Sequence, residues 1–121
     1  MLEETIKIAS APIEEQPNCF LLTLEGELDS SNAQDVIKHV QSMIENDGMK
    51  HLVADFAHLR YINSTGLGAI LRISKTLAAK NGSFMIVGPN ENVFEIIEIV
   101  GANKLLYIYA TKEEALNSLK S

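Results

Sequence analysis

One cysteine, three histidines and no cluster of basic residues set the first limits on this 121-residue chain. With Cys19 alone, no intramolecular disulfide can form. Its place in an apolar run reads as a buried core thiol and accords with a reducing, cytoplasmic setting. His39, His51 and His58 are not spaced from one another, or from Cys19, as zinc ligands are, so no metal site is expected. The net charge of −6, with no run of Lys or Arg, argues against a phosphate-backbone partner, and no nucleic acid is expected. No stretch approaches the roughly 18–20 apolar residues of a membrane span, so direct membrane insertion is not expected. The stretch from Met1 to Ser10 carries Glu3, Glu4 and Lys7 and lacks the apolar core of a signal peptide.

Catalytic patterns are missing as well. No glycine loop ends in Lys-Ser or Lys-Thr. Gly66-Leu67-Gly68 lacks the third glycine of a dinucleotide fingerprint, since Leu71 stands there. The pairs Glu3-Glu4, Glu14-Glu15 and Glu113-Glu114 are sequence neighbours that read as solvated surface rather than an acid/base pair. Ser64 has no histidine close in sequence and no Gly-x-Ser-x-Gly elbow around it. Neither an enzyme activity nor a cofactor is expected.

Enough apolar residues remain to build a core without disulfides or metal: 46% are hydrophobic and 21% charged, and the length fits one domain over 1–121. Alternation predicts strands at Thr5 to Ala9 and Cys19 to Glu25, the latter burying Phe20, Leu22 and Leu24. Pro12 and Pro17 mark Ala11 to Asn18 as a connection. Gly26-Glu27-Leu28-Asp29 leads into a first helix, with Ser31 as N-cap, Gln34 completing a capping box, and Ala33, Val36, Ile37, Val40, Met43 and Ile44 on one face. Asn46-Asp47-Gly48 stops it. His51 to Phe56 is apolar on both faces, as a central strand covered from two sides would be. Ala57 to Asn63 reads as a loop. A second helix starts near Ser64 or Thr65, with Leu67, Ile70, Leu71, Ser74, Leu77 and Ala78 inward, and ends at Asn81-Gly82. Phe84 to Val87 is a strand, Asn90 to Val100 a helix ended by Gly101, and Leu105 to Tyr109 a strand. Thr111 and Glu114 form a capping box opening a final helix through Leu119. The resulting order, β-β-α-β-α-β-α-β-α, predicts an α/β fold with crossover connections. The opening pair of strands can run antiparallel, which makes the sheet mixed.

One segment stands out, from Asp55 through Gly68. Asn63, Ser64 and Thr65 sit together where a strand passes into a helix, followed at once by Gly66 and Gly68. Each of the three can cap a helix, and capping alone explains one of them. Two glycines in a first turn cost roughly 1 kcal/mol each relative to Ala, and they leave the backbone open to a close-approaching partner. A phosphate on Ser64 would lie at a helix N-terminus, where free N–H groups accommodate it, and would block a partner docked there. Gly26-Glu27-Leu28-Asp29-Ser30-Ser31 likewise joins a strand to a helix. Loops leaving parallel neighbouring strands emerge on one edge, so Asp29 and Ser64 are expected close together. Asp29 and Ser31 also serve simply as caps of the first helix.

With Gly26 to Asp29 after the second strand, and Asn63-Ser64-Thr65-Gly66-Leu67-Gly68 at the second helix, the chain resembles the STAS family. Within it, the match is to the single-domain anti-sigma factor antagonists. The resemblance implies a mixed sheet packed with about four helices. It implies a partner too: an anti-sigma factor that is also a serine kinase, bound by the unphosphorylated protein so that the sigma factor is released. Ser64 matches the serine that the kinase phosphorylates to end the complex, and a phosphatase resets it. The docking surface then takes in Asp29, Ser30, Ser31, Asn63, Ser64, Thr65, Gly66, Leu67 and Gly68. Many members carry Asp before the phosphorylated serine. Asn63 keeps the shape and cap capacity and removes a charge. The same fold also serves as a non-phosphorylated scaffold or regulatory subunit of a signalling assembly or transporter, or as a small-molecule or nucleotide binder.

Overall fold

In a computed structural model, which describes residues 5–120, six strands form one sheet with four helices packed on it. Met1 to Glu4, and with them the acidic pair Glu3-Glu4, lie outside the described residues, as does Ser121. Strand β1 (Ile6–Pro12) runs antiparallel to β2 (Cys19–Leu28), from Ile6 opposite Gly26 to Pro12 opposite Phe20. The sheet is mixed, as expected. The strand extends through Ala11 and Pro12, where the sequence predicts a connection, because Pro at a strand end on the sheet's edge forfeits no ladder bond.

Strand β2 is long enough to serve two neighbours on its other side. Its first half, Cys19 to Thr23, pairs parallel with β3 (His51–Asp55); its last three residues, Gly26 to Leu28, pair parallel with β4 (Leu59–Ile62). Gly26-Glu27-Leu28 is therefore strand rather than lead-in, and the expected loop from Ala57 to Asn63 contains a strand. A bulge separates Gly26 from Glu27, and only glycine fits there: φ is +114°, and a Cβ would come 2.3 Å from the Thr5 carbonyl oxygen. Strand β3 continues the sheet to β5 (Ser83–Val87) and β6 (Tyr107–Tyr109), all parallel, in the order β1-β2-β3-β5-β6.

Helices α1 (Ala33–Asp47), α2 (Ser64–Ala79) and α3 (Glu91–Ile99) cover one face, meeting Leu22, Leu24, Leu52, Ala54, Phe84 and Ile86. Helix α4 (Lys112–Asn117) covers the other, where Ala115 and Leu116 pack on Val53, Met85 and Val87. Burial on both faces explains the unbroken apolar run in β3. The inner stripe of α2 uses Ile73; Ser74 is half-buried and Ala78 exposed. Leu105, expected to open the last strand, is exposed and follows a short 3-10 turn (Ala102–Lys104). The last helix, expected through Leu119, ends at Asn117 and passes into a second 3-10 turn (Ser118–Lys120).

Candidate functional site

The pairing of β2 with β4 decides what meets at the end of the sheet. Leu28 lies opposite Ile62, so the residues that follow them, Asp29 and Asn63, leave side by side. The Asn63 N–H donates to the Leu28 carbonyl at 3.2 Å and ties the two loops together. The expected neighbourhood of Asp29 and Ser64 is thus present, although β4 rather than the central strand carries the second loop.

Asn63 is the N-cap of α2. Its Oδ1 accepts from the Gly66 N–H at 2.9 Å, and its carbonyl accepts from the Leu67 N–H, the first bond of the helix, at 2.9 Å. A helix start leaves four N–H groups without intrahelical partners. Asn63 and Gly66 have theirs satisfied within the chain, and among the described residues the N–H groups of Ser64 and Thr65 meet no acceptor. Both of these side chains are exposed, as is Gly68. One residue caps, and the two hydroxyls beside it are left to solvent.

Gly66 and Leu67 do something else. A Cβ on Gly66 would stand 2.6 Å from the Leu28 carbonyl oxygen and 2.9 Å from the Leu28 side chain. The close approach that this glycine permits is between α2 and the end of β2, within the molecule, and not to a docked partner. Leu67 is buried in the core. Of the two glycines, Gly68 alone opens the surface, with nothing within 4 Å of a Cβ placed on it.

The loop into α1 is held by a residue that sequence reasoning passed over. Asn32 is only 5% exposed. Its Oδ1 accepts from the Asp29 N–H at 3.0 Å, and its Nδ2 donates to Thr5 Oγ1 and to the Glu27 carbonyl, both at 2.8 Å. Asn32 also takes the N-cap position expected of Ser31, without a side-chain cap bond. Ser31 turns back instead: its N–H and Oγ donate to Asp29 Oδ1 at 2.9 and 2.6 Å, so the Ser31–Gln34 capping box does not form. Asp29 is half-buried and Ser30 exposed. Asn appearing one position before an apolar helical stripe was the available signal for Asn32.

Arg60 and Tyr61, also absent from the expected surface, are exposed on β4, and Tyr61 lies opposite Glu27. The titrating groups with shifted values lie at the far end of the sheet, where Cys19 and His51 pair as β2 and β3 begin. Burial first, then Glu15, pushes the Cys19 thiol up to about 11; burial first, then Lys50, lowers His51. A cavity of about 420 Å³ between α2, β5 and β6, lined in part by Ser74, Phe84, Tyr107 and Tyr109, includes none of the residues at the Ser64 edge. Among the described residues no three His, Cys, Asp or Glu side chains gather as metal ligands would, and no helix is long and apolar enough to cross a membrane.

A mixed sheet with three helices on one face and one on the other, and a capped helix start beside the β2 loop, defines a class. The STAS domain family model matches residues 10–115, and the chain belongs to that family. Among its relatives, the anti-sigma F factor antagonist of Paenibacillus polymyxa is 27% identical over 89% of this chain and 92% of its own length. A candidate anti-sigma factor antagonist of Thermotoga neapolitana is 31% identical over 78% of this chain and 83% of its own. The crystal structure of a candidate anti-sigma factor antagonist from Thermotoga maritima superposes with a TM-score of 0.82 at 24% identity, covering 94% of this chain and 95% of the other.

Proposed function

We propose that this chain is an anti-sigma factor antagonist switched by phosphorylation of Ser64. The unphosphorylated protein binds an anti-sigma factor serine kinase through the edge formed by Asp29, Ser30, Ser31, Asn63, Ser64, Thr65 and Gly68, and so frees the sigma factor. The kinase then phosphorylates Ser64, the complex parts, and a phosphatase restores the first state. Gly66 and Leu67 serve this surface from beneath, by seating α2 on β2.

The observation that carries the reading is the state of Ser64: exposed, free of capping duty, and placed where two backbone N–H groups meet no acceptor among the described residues. A phosphate there adds roughly 1.5 to 2 negative charges at neutral pH, which the helix start accommodates without unfolding and a docked protein surface does not. The curated relatives named above support the class of partner.

The test is incubation with ATP and each serine-kinase anti-sigma factor of the host, followed by mass spectrometry of the peptides. Phosphate is expected on Ser64 and nowhere in Ser64→Ala, and Ser64→Asp is expected to lose binding that the wild type shows. Phosphate on another residue, or on none with every kinase, overturns the reading. A wild-type protein that no cognate kinase phosphorylates, together with a Ser64→Ala protein that keeps all activity, points to the scaffold role instead.

A further inference from the structure

We propose that Tyr61 is the anchor of this docking surface, its ring seating in an apolar, uncharged pocket of the anti-sigma factor beside Ser64. The inference rests on the switch reading above and adds the residue and the chemistry by which the partner is held.

Large apolar side chains are exposed at two places in the described structure. Ile99, Val100, Leu105 and Tyr107 cluster from the end of α3 to β6, at one margin of the sheet. Tyr61, 46% exposed, stands apart from them on β4, three residues before Ser64 and opposite Glu27, in the strand whose pairing brings the two site loops together. Its backbone is held firmly: Leu59 and Ile62, at either end of β4, are fully buried, and the Leu59 carbonyl accepts from Asn90 Nδ2 at 3.1 Å. A half-exposed tyrosine on a fixed strand is a low-entropy, amphipathic contact, the kind that dominates protein interfaces.

Charge decides what it sits in. The end of β2, the loop after it and β4 carry Glu27 and Asp29 against Arg60, one net negative charge, which is too little to hold a partner by electrostatics. A strongly basic partner face would also bind phosphoserine more tightly than serine, the reverse of a switch that phosphate turns off. A dry apolar seat around Tyr61 has the required sign, because a phosphate beside it must be stripped of water without a compensating cation.

Calorimetry with each purified serine-kinase anti-sigma factor of the host tests this, using wild type, Tyr61→Ala, Tyr61→Gln, Tyr107→Ala and Ser64→Asp. Melting curves confirm folding, which Tyr61, being half-exposed, is not expected to disturb. Both Tyr61 variants should bind at least ~tenfold more weakly. Tyr107→Ala, more exposed but on β6 at the margin of the sheet, should stay within about twofold, and wild-type affinity should change less than about threefold between roughly 50 and 500 mM salt. Tyr61 variants that bind as wild type does, while Ser64→Asp does not, overturn the anchor and leave the switch standing. A salt effect above ~tenfold overturns the uncharged pocket. Ser64→Asp binding as tightly as wild type, or wild type binding none of the proteins, overturns the switch reading and the anchor with it.

Discussion

Gly66 and Gly68 stand two positions apart in the first turns of α2, and a methyl group has opposite consequences at the two. Alanine is the better helix former by about 1 kcal/mol, so Gly68→Ala, which meets nothing within 4 Å, should stabilise the protein by roughly 0.5–1 kcal/mol. Gly66→Ala places its Cβ 2.6 Å from a backbone oxygen of β2 and should destabilise by about 1–3 kcal/mol, the helix gain notwithstanding. Urea denaturation midpoints give both signs, and equal shifts would contradict the packing of α2 on Leu28. In the sequence the pair reads as one feature, because residue type reports conformational freedom and not what lies across the gap. Asn63-Ser64-Thr65 was legible as a cap with polar groups to spare; which one caps was not, since all three have the same capacity and position relative to the helix start decides.

At the scale of elements, the helices and the central strands follow from periodicity, and β4 does not. Leu59 and Ile62 are its buried residues, a spacing of three that matches neither the strand period nor a helix of any length. The strand exists because β2 runs on past β3 and offers an unpaired edge. Asn90 helps fix it: Oδ1 caps α3 by accepting from the Val93 N–H at 2.8 Å, while Nδ2 donates to Leu59 in β4. Asn90→Ala should cost about 1–2 kcal/mol through both losses, and Asn90→Asp, which keeps the cap, about half as much. Chemical denaturation of the two variants measures this; an Asp variant as weak as the Ala variant would place the whole effect in the tie to β4. The Ser31 cap failed for a related reason. A carboxylate two residues away drew its hydroxyl back, and the position passed to Asn32, buried where the loop crosses Thr5.

At the scale of the whole molecule, His51 connects stability to pH. Its Nδ1 is buried without a hydrogen-bond partner among the described residues, and burial, then Lys50, lowers its pKa below the usual value of about 6.5. The unfolded chain therefore binds a proton that the folded chain resists. This contribution to stability is present above about pH 6.5 and is lost as pH falls below it. Urea midpoints should hold near pH 7–8 and decline toward about pH 5, and His51→Gln should decline less over the same window. Identical slopes would remove His51 as the cause. Composition and patterning by themselves determined the α/β class, the four helices and a helix start near Ser64 or Thr65, because apolar periodicity and capping are local and one residue's chemistry suffices to mark them. Only the tertiary structure decided that β2 pairs with two strands in turn, that β4 rather than the central strand brings Asn63 to Asp29, that Gly66 faces inward and that Tyr61 stands exposed on β4. These depend on which backbone edge is left open once the rest of the sheet has formed, and no local pattern encodes that.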